Sequence, residues 1–173
     1  SGNIPERLFV ESGWPEEKVF QVGAIRYHNL AKFLQKEIDW TTRKKKVIVA
    51  LTSIEEENKE MLLMIRQAFG NKKDTCSFVI KPHPLCPMKD IIESVGFDFS
   101  SGKFILDSNT PLEDLLISSR ALIVAGSTAS IDGVACQCPV IIPRLSCVAD
   151  MNPLSGTSKG IVRYVENKDE LAE

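Results

Sequence analysis

The sequence predicts a doubly wound α/β domain built on a Rossmann-like parallel sheet, and three observations lead there. Short apolar runs at 47–51, 77–80, 121–125 and 139–143 lack the polar alternation of a half-exposed strand, so they read as strands buried on both faces. Between them lie amphipathic stretches with helix start and stop signals. The length of 173 residues, with 43% hydrophobic content, suffices for one sizeable core and is short for two. Strands that alternate with helices imply right-handed crossovers and a sheet covered on both faces.

Taken in order, residues 1–14 are polar and read as irregular, with Pro5 and Pro15 as breakers. Residues 17–23 read as a strand, 24–27 as a connection, and 30–38 as a short helix. Residues 1–17 are assigned to a linker remnant and 18–173 to the Rossmann-like domain, a piece of a longer chain that here opens on Ser rather than Met. The basic run 43–46 reads as a solvated loop before the first core strand, 47–51. Thr52 and Ser53 end that strand, and each has a Glu three residues on, a capping-box pattern. The next helix directs Ile54, Met61, Ile65 and Phe69 to one face and stops at Gly70-Asn71. Strand 77–80 ends at Lys81-Pro82-His83-Pro84. A helix at 88–95 and a strand at 103–106 follow. Thr110-Pro111-Leu112-Glu113 reads as N-cap, first-turn proline and closing Glu. Strand 121–125 breaks at Gly126 and leads through Ser127 and Thr128 into a helix. Then come strand 139–143, a Pro-, Ser- and Gly-rich loop at 144–159, a last strand at 160–165 and a helix from 167.

A net charge of −2 and a pI near 5.8 leave no nucleic-acid footprint. No apolar run approaches membrane-spanning length, and no signal peptide is recognisable. The odd count of cysteines, 5, argues against a disulfide framework and for a reducing, cytoplasmic setting. Cys76, Cys136, Cys138 and Cys147 read as small hydrophobes. With His28 and His83 as the only histidines, no metal site is expected.

Ligands of doubly wound sheets bind beyond the carboxyl ends of the strands. That rule selects Thr52-Ser53, residues 81–84, residues 107–110 and Gly126-Ser127-Thr128. At the last of these, two readings stand side by side: ordinary N-caps, or hydroxyls and backbone N–H groups that cradle a phosphate. His83, fixed between Pro82 and Pro84, is suited to donate to a phosphate oxygen, and Lys81 adds charge; the alternative is a turn whose His caps a neighbour. Thr128 and Asp132 share a helix face, which allows Asp132 to accept from ribose hydroxyls or to be a solvated acid. For Thr52 and Ser53 capping is the favoured reading, with an extension of the anion site as the other. The usual glycine-rich dinucleotide and P-loop fingerprints are missing, as are a G-x-S-x-G elbow and an Asp-x-Asp pair. The residues look built to bind a nucleotide, and no catalytic residue is assigned.

Together Ile80-Lys81-Pro82-His83-Pro84, Asn109-Thr110-Pro111-Leu112, the run Gly126-Ser127-Thr128-Ala129-Ser130-Ile131-Asp132 and residues 138–143 resemble the C-terminal half of GT-B glycosyltransferases. The likeness is nearest to bacterial surface-carbohydrate enzymes such as CMP-sialic acid and CMP-Kdo transferases. It implies that His83-Pro84 and Ser127-Thr128 grip the donor phosphate, as the family's His-Pro and Ser-Ser/Thr pairs do. CDP-glycerol polymerases are similar in placing an Asp four residues after the second Ser, the spacing of Thr128 and Asp132. Residues 22–27 look like the family's interdomain crossing. Two positions depart from the pattern: Asp132 where many of these enzymes carry Glu, and Gln137-Cys138 where they carry Gly. The resemblance implies a metal-independent inverting transferase in bacterial surface polysaccharide or lipopolysaccharide synthesis. Its donor would be a nucleotide sugar, CMP-linked by preference, with no other cofactor and a glycan or lipid-linked acceptor. The general base would belong to an N-terminal domain outside this chain, so the fragment alone is expected to be inactive. Any contact with the inner face of the membrane would also come from parts outside it. A UDP-GlcNAc 2-epimerase-like enzyme, a CDP-glycerol-type transferase and a non-catalytic α/β binding module are the alternatives.

Overall fold

The computed structural model describes residues 3–34, 39–71, 76–86, 88–147, 149, 151–154 and 160–173. Its centre is a parallel sheet of 6 strands in the order β3-β2-β1-β4-β5-β6. These are β1 (Lys44–Ala50), β2 (Ser77–Lys81), β3 (Phe104–Leu106), β4 (Ser119–Val124), β5 (Val140–Pro143) and β6 (Val162–Val165). In register, Val49 lies between Ile80 of β2 and Ile123 of β4. The chain builds outward from β1 to β3, returns to the middle with β4, and builds outward again to β6. The direction therefore reverses between β1 and β4, which is where such sheets hold ligands.

Two apolar layers cover the sheet. Helices α3 (Glu55–Phe69), α4 (Lys89–Val95) and α7 (Lys168–Leu171) bury Met61, Leu62, Ile65, Ile91, Val95 and Leu171 against Val49, Ile80 and Ile123. The opposite face takes α2 (Ala31–Leu34), α5 (Leu112–Leu116) and α6 (Ala129–Ala135) over Ile48, Val79, Leu122 and Val140. Successive strand residues thus serve opposite cores, as the pleat requires. The doubly wound prediction is correct.

Several local expectations are not. Asn3–Glu11 form a helix, α1, with Pro5 in its first turn. A missing N–H costs nothing there, since the first N–H groups of a helix have no intrahelical acceptor. Residues 17–23 make no strand: a 3₁₀ turn spans Glu16–Lys18, and the rest of the segment joins no sheet. The expected helix 30–38 begins as a 3₁₀ turn over Ile25–Leu30 and continues as α2; residues 35–38 lie outside the described residues, as do residues 155–159 of the expected loop.

The basic run is not a loop. Its lysines open β1, and Arg43 is buried at 4% exposure. Both capping boxes fail as well. Helix α3 starts from Ile54, with no side-chain cap, and Thr52 bonds to Glu57 instead. At α5 the Thr110 hydroxyl donates to Asp107 at 2.8 Å, and Pro111 takes the cap position. Ile54 is exposed while Leu62 and Ala68 join the buried stripe of α3. Among the thiols, Cys86 is buried and Cys147 is exposed.

Candidate functional site

Four strand ends meet at the reversal of the sheet. The hub is Glu57 in the first turn of α3, which is 2% exposed. Its Oε2 accepts from the Thr52 hydroxyl at 2.6 Å, and its Oε1 accepts from the Gly126 N–H at 2.6 Å. The carboxylate therefore ties the end of β1 to the turn after β4. Asn58 completes the junction: its Oδ1 accepts from the Thr52 N–H and its Nδ2 donates to the Thr52 carbonyl, each at 2.8 Å. Thr52 is fully occupied with these partners and 5% exposed, whereas Ser53 next to it is exposed.

On its other side the turn is held by Asn152. The Asn152 amide donates to the Ala125 carbonyl at 2.6 Å, and its oxygen accepts from the Ser130 hydroxyl at 3.1 Å. Within the turn, the Ser127 N–H donates to the Ala125 carbonyl at 2.8 Å. The first two N–H groups of the turn are thus already used, so what Gly126-Ser127-Thr128 presents is mainly hydroxyl. Ser127 Oγ accepts from the Ala129 N–H at 3.3 Å, which makes Ser127 the capping side chain. Thr128 occupies the cap position of α6 without a side-chain cap bond and is exposed. Asp132 follows one turn later, half-buried, on the flank that Thr128 begins.

Across the end of β1 lies the turn after β2, two strand spacings or roughly 10 Å from the β4 end. His83 Nδ1 accepts from the Leu85 N–H at 3.2 Å, so Nε2 carries the proton and is the donor left for a ligand. Pro84 beside it is exposed. Lys81 leans the other way: its Nζ donates to the Ser108 carbonyl at 2.9 Å. There it faces Asp107, whose carboxyl is held below the usual range by hydrogen bonds from the Thr110 N–H and hydroxyl. The structure thus sets His83, Ser127 and Thr128 on opposite sides of the β1 end, and sends Lys81 toward β3.

Glu57, Asn58, Arg43 and Asn152 were not singled out from the sequence. A signal existed for the first two. Glu57, Met61 and Ile65 recur four apart, as do Asn58 and Leu62, so both polar residues continue the buried stripe of α3.

Beside the β4 turn a cavity of about 220 Å³ opens over Glu57, lined by Gly126, Pro143, Arg144, Leu145 and Met151 among others. Among the described residues no His, Cys, Asp and Glu group could hold a metal ion, and no helix is long and apolar enough to cross a membrane.

Solved sugar-nucleotide enzymes share this fold. The chain superposes on the Methanocaldococcus jannaschii UDP-GlcNAc 2-epimerase, solved with UDP-GlcNAc and UDP, with a TM-score of 0.69 at 15% identity, covering 98% of this chain and 50% of that one. Staphylococcus aureus MnaA, solved with UDP, gives 0.66 at 12% identity, covering 96% and 46%. The glycosyltransferase SnogD from Streptomyces nogalater gives 0.50 at 20% identity, covering 85% and 36%. The chain spans about half the length of the solved epimerases it matches. No family model matches the sequence, and no curated protein sequence does. The likeness establishes a Rossmann-like fold of the GT-B type.

Proposed function

We propose that this chain is the nucleotide-sugar-binding half of a GT-B sugar-processing enzyme. The observation that carries the proposal is the placement of His83 and of Ser127-Thr128 on either side of the β1 end, at the reversal of the sheet. A diphosphate laid across that end meets the His83 Nε2–H on one side and the two hydroxyls on the other. Asp132 then stands where a ribose diol would donate to it. In a reaction that breaks the sugar–phosphate bond, these donors stabilise the charge that grows on the departing nucleotide. The acid or base that acts on the sugar is not among them.

Two donor nucleotides compete. The epimerases that share the fold were solved with UDP or UDP-GlcNAc, which supports a uridine diphosphate and either epimerisation or transfer. The order of the His-Pro and Ser-Thr pairs along the chain supports a CMP-linked donor and a transferase of bacterial surface polysaccharide. A calorimetric and NMR titration with UDP, CMP, CDP and GDP tests both. One nucleotide is expected to bind and to shift amides at 83–86 and 126–132, and the joint variant His83→Ala, Thr128→Ala is expected to weaken it about a hundredfold, the loss of two charge-assisted bonds. Absence of binding by all of them at millimolar concentration would remove the proposal.

A further inference from the structure

Glu57 does more than brace the turn. It carries a charge that, among the described residues, no cation neutralises. Arg144 shares the cavity but is engaged elsewhere: its Nε lies 3.3 Å from Glu166 and its guanidinium stacks 5.5 Å from the Tyr164 ring centre. A carboxylate has about four acceptor sites. The Thr52 hydroxyl and the Gly126 N–H take one each, which leaves about two for whatever enters the cavity.

The cavity has a definite character. At about 220 Å³ it is smaller than the ~300–1,000 Å³ of pockets that hold whole ligands, so it is sized for one ring. Pro143, Leu145 and Met151 give it apolar sides that suit the C–H faces of a ring, and Glu57 gives it an acceptor at the base. Gly126 belongs both to this cavity and to the hydroxyl turn, so a ring bonded to a phosphate at the turn falls within its reach. The fit is close, since a Cβ on Gly126 would lie 2.9 Å from Glu57 Oε1. A second negative charge placed here would lie against the Glu57 carboxylate, itself 2% exposed, and like charges at short range repel.

We infer that this cavity seats the sugar ring of the nucleotide sugar, and that Glu57 restricts it to neutral, hydroxyl-bearing sugars. The inference rests on the nucleotide-sugar reading above and narrows it: neutral hexoses and N-acetylhexosamines enter, whereas uronic acids, sialic acids and Kdo are turned away. The carboxylate accepts from ring hydroxyls and refuses a second carboxylate.

Calorimetry with UDP, UDP-glucose and UDP-glucuronate decides it, since the two sugars differ by one carboxylate. UDP-glucose is expected to bind the wild-type chain at least about tenfold more tightly than UDP-glucuronate, a difference of about 1.4 kcal/mol. In Glu57→Gln the amide oxygen still accepts from Gly126 and the amide N–H₂ faces the Thr52 hydroxyl, so the shape is kept and the charge is lost. That variant is expected to narrow the ratio below threefold. Leu145→Trp, which fills the cavity, is expected to abolish the sugar's contribution to affinity. An unchanged ratio in Glu57→Gln, or a wild-type chain that binds UDP-glucuronate as well as UDP-glucose, would overturn the inference. So would tighter binding of CMP-sialic acid than of CMP. If Glu57→Gln does not fold, the wild-type ratio and the Leu145 variant carry the decision. If no nucleotide binds at all, the nucleotide-sugar reading itself fails; if UDP binds and the sugars are not distinguished, only the present inference does.

Discussion

Arg43 brings a guanidinium into the interior because carbonyl oxygens converge on it there. Its Nη1 donates to the Leu116 and Ser119 carbonyls at 3.0 and 2.6 Å, and its Nη2 to those of Cys136 and Gln137 at 3.0 and 3.3 Å. Leu116 closes α5 and Cys136 follows the end of α6, so the charge sits at the negative ends of two helix dipoles. It joins the start of β1 to α5 and α6 on one face. The same enclosure silences two thiols: burial pushes Cys136 up to about 12 and Cys138 up to about 11, the latter despite the opposing pull of Arg43. Replacing Arg43 by Met fills the space and strands the carbonyls. The expected loss is about 3 kcal/mol, since bonds from a charged donor are strong and buried acceptors left alone are costly. Arg43→Lys keeps the charge but cannot span acceptors on opposite sides, so it should fall between. Urea unfolding of both variants checks this order; a Met variant as stable as the wild type would show the carbonyls finding other donors.

At the scale of elements, α6 matters most, because it carries the residues assigned to phosphate and ribose. It lies close on the sheet through Gly133, where an added Cβ would come within 2.7 Å of Val140 Cγ2 and 2.8 Å of Leu122 Cδ2. Gly133→Ala gains intrinsic helix preference of about 1 kcal/mol, yet it overpacks a filled core at a cost of about 1–3 kcal/mol. The overpacking should win, lifting α6 and moving Thr128 and Asp132 with it. A lower Tm together with weaker nucleotide binding is the expected pair of results; a raised Tm would mean the core yields. Elements like β4 were legible because a strand buried on both faces writes an unbroken apolar run. Helix α1 was not, because Pro5 reads as a breaker unless the helix start is known to within a residue or two. The lysines of β1 misled for a related reason: backbone pairing to Ser77 and Ser119 is indifferent to side chains that project past the sheet's end. In the site, His83, Ser127 and Thr128 could be found because strand ends advertise them. Glu57 was hidden among three successive glutamates, and only the four-residue recurrence with Met61 and Ile65 separates it from its exposed neighbour Glu56.

For the molecule as a whole, the strand order places stability and function on the same line. Strands β1 and β4 are central, paired on both sides and covered by both cores, whereas β3 and β6 are edges with one neighbour each. The loops assigned to the ligand spring from β1, β2 and β4, so the scaffold under them should be the last part to open. The chain up to Ile25 is the opposite case. Leu8, Phe9, Trp14, Phe20, Val22 and Ile25 are exposed, and none of them enters either core. Local opening follows buried contacts and protected hydrogen bonds. Amides of Ile48, Val49, Ala50, Leu122, Ile123 and Val124 should therefore exchange with solvent hydrogen at least about tenfold more slowly than those of β3 and β6, and α1 should exchange first. Adding the nucleotide that binds should protect the turns at 83–86 and 126–130 and leave the slow core amides almost unchanged, because the site does not need its ligand to form. If α1 were instead as well protected as β1, the N-terminal segment would have to be part of the same cooperative unit, and its exposed apolar side chains would not mark a boundary of the fold.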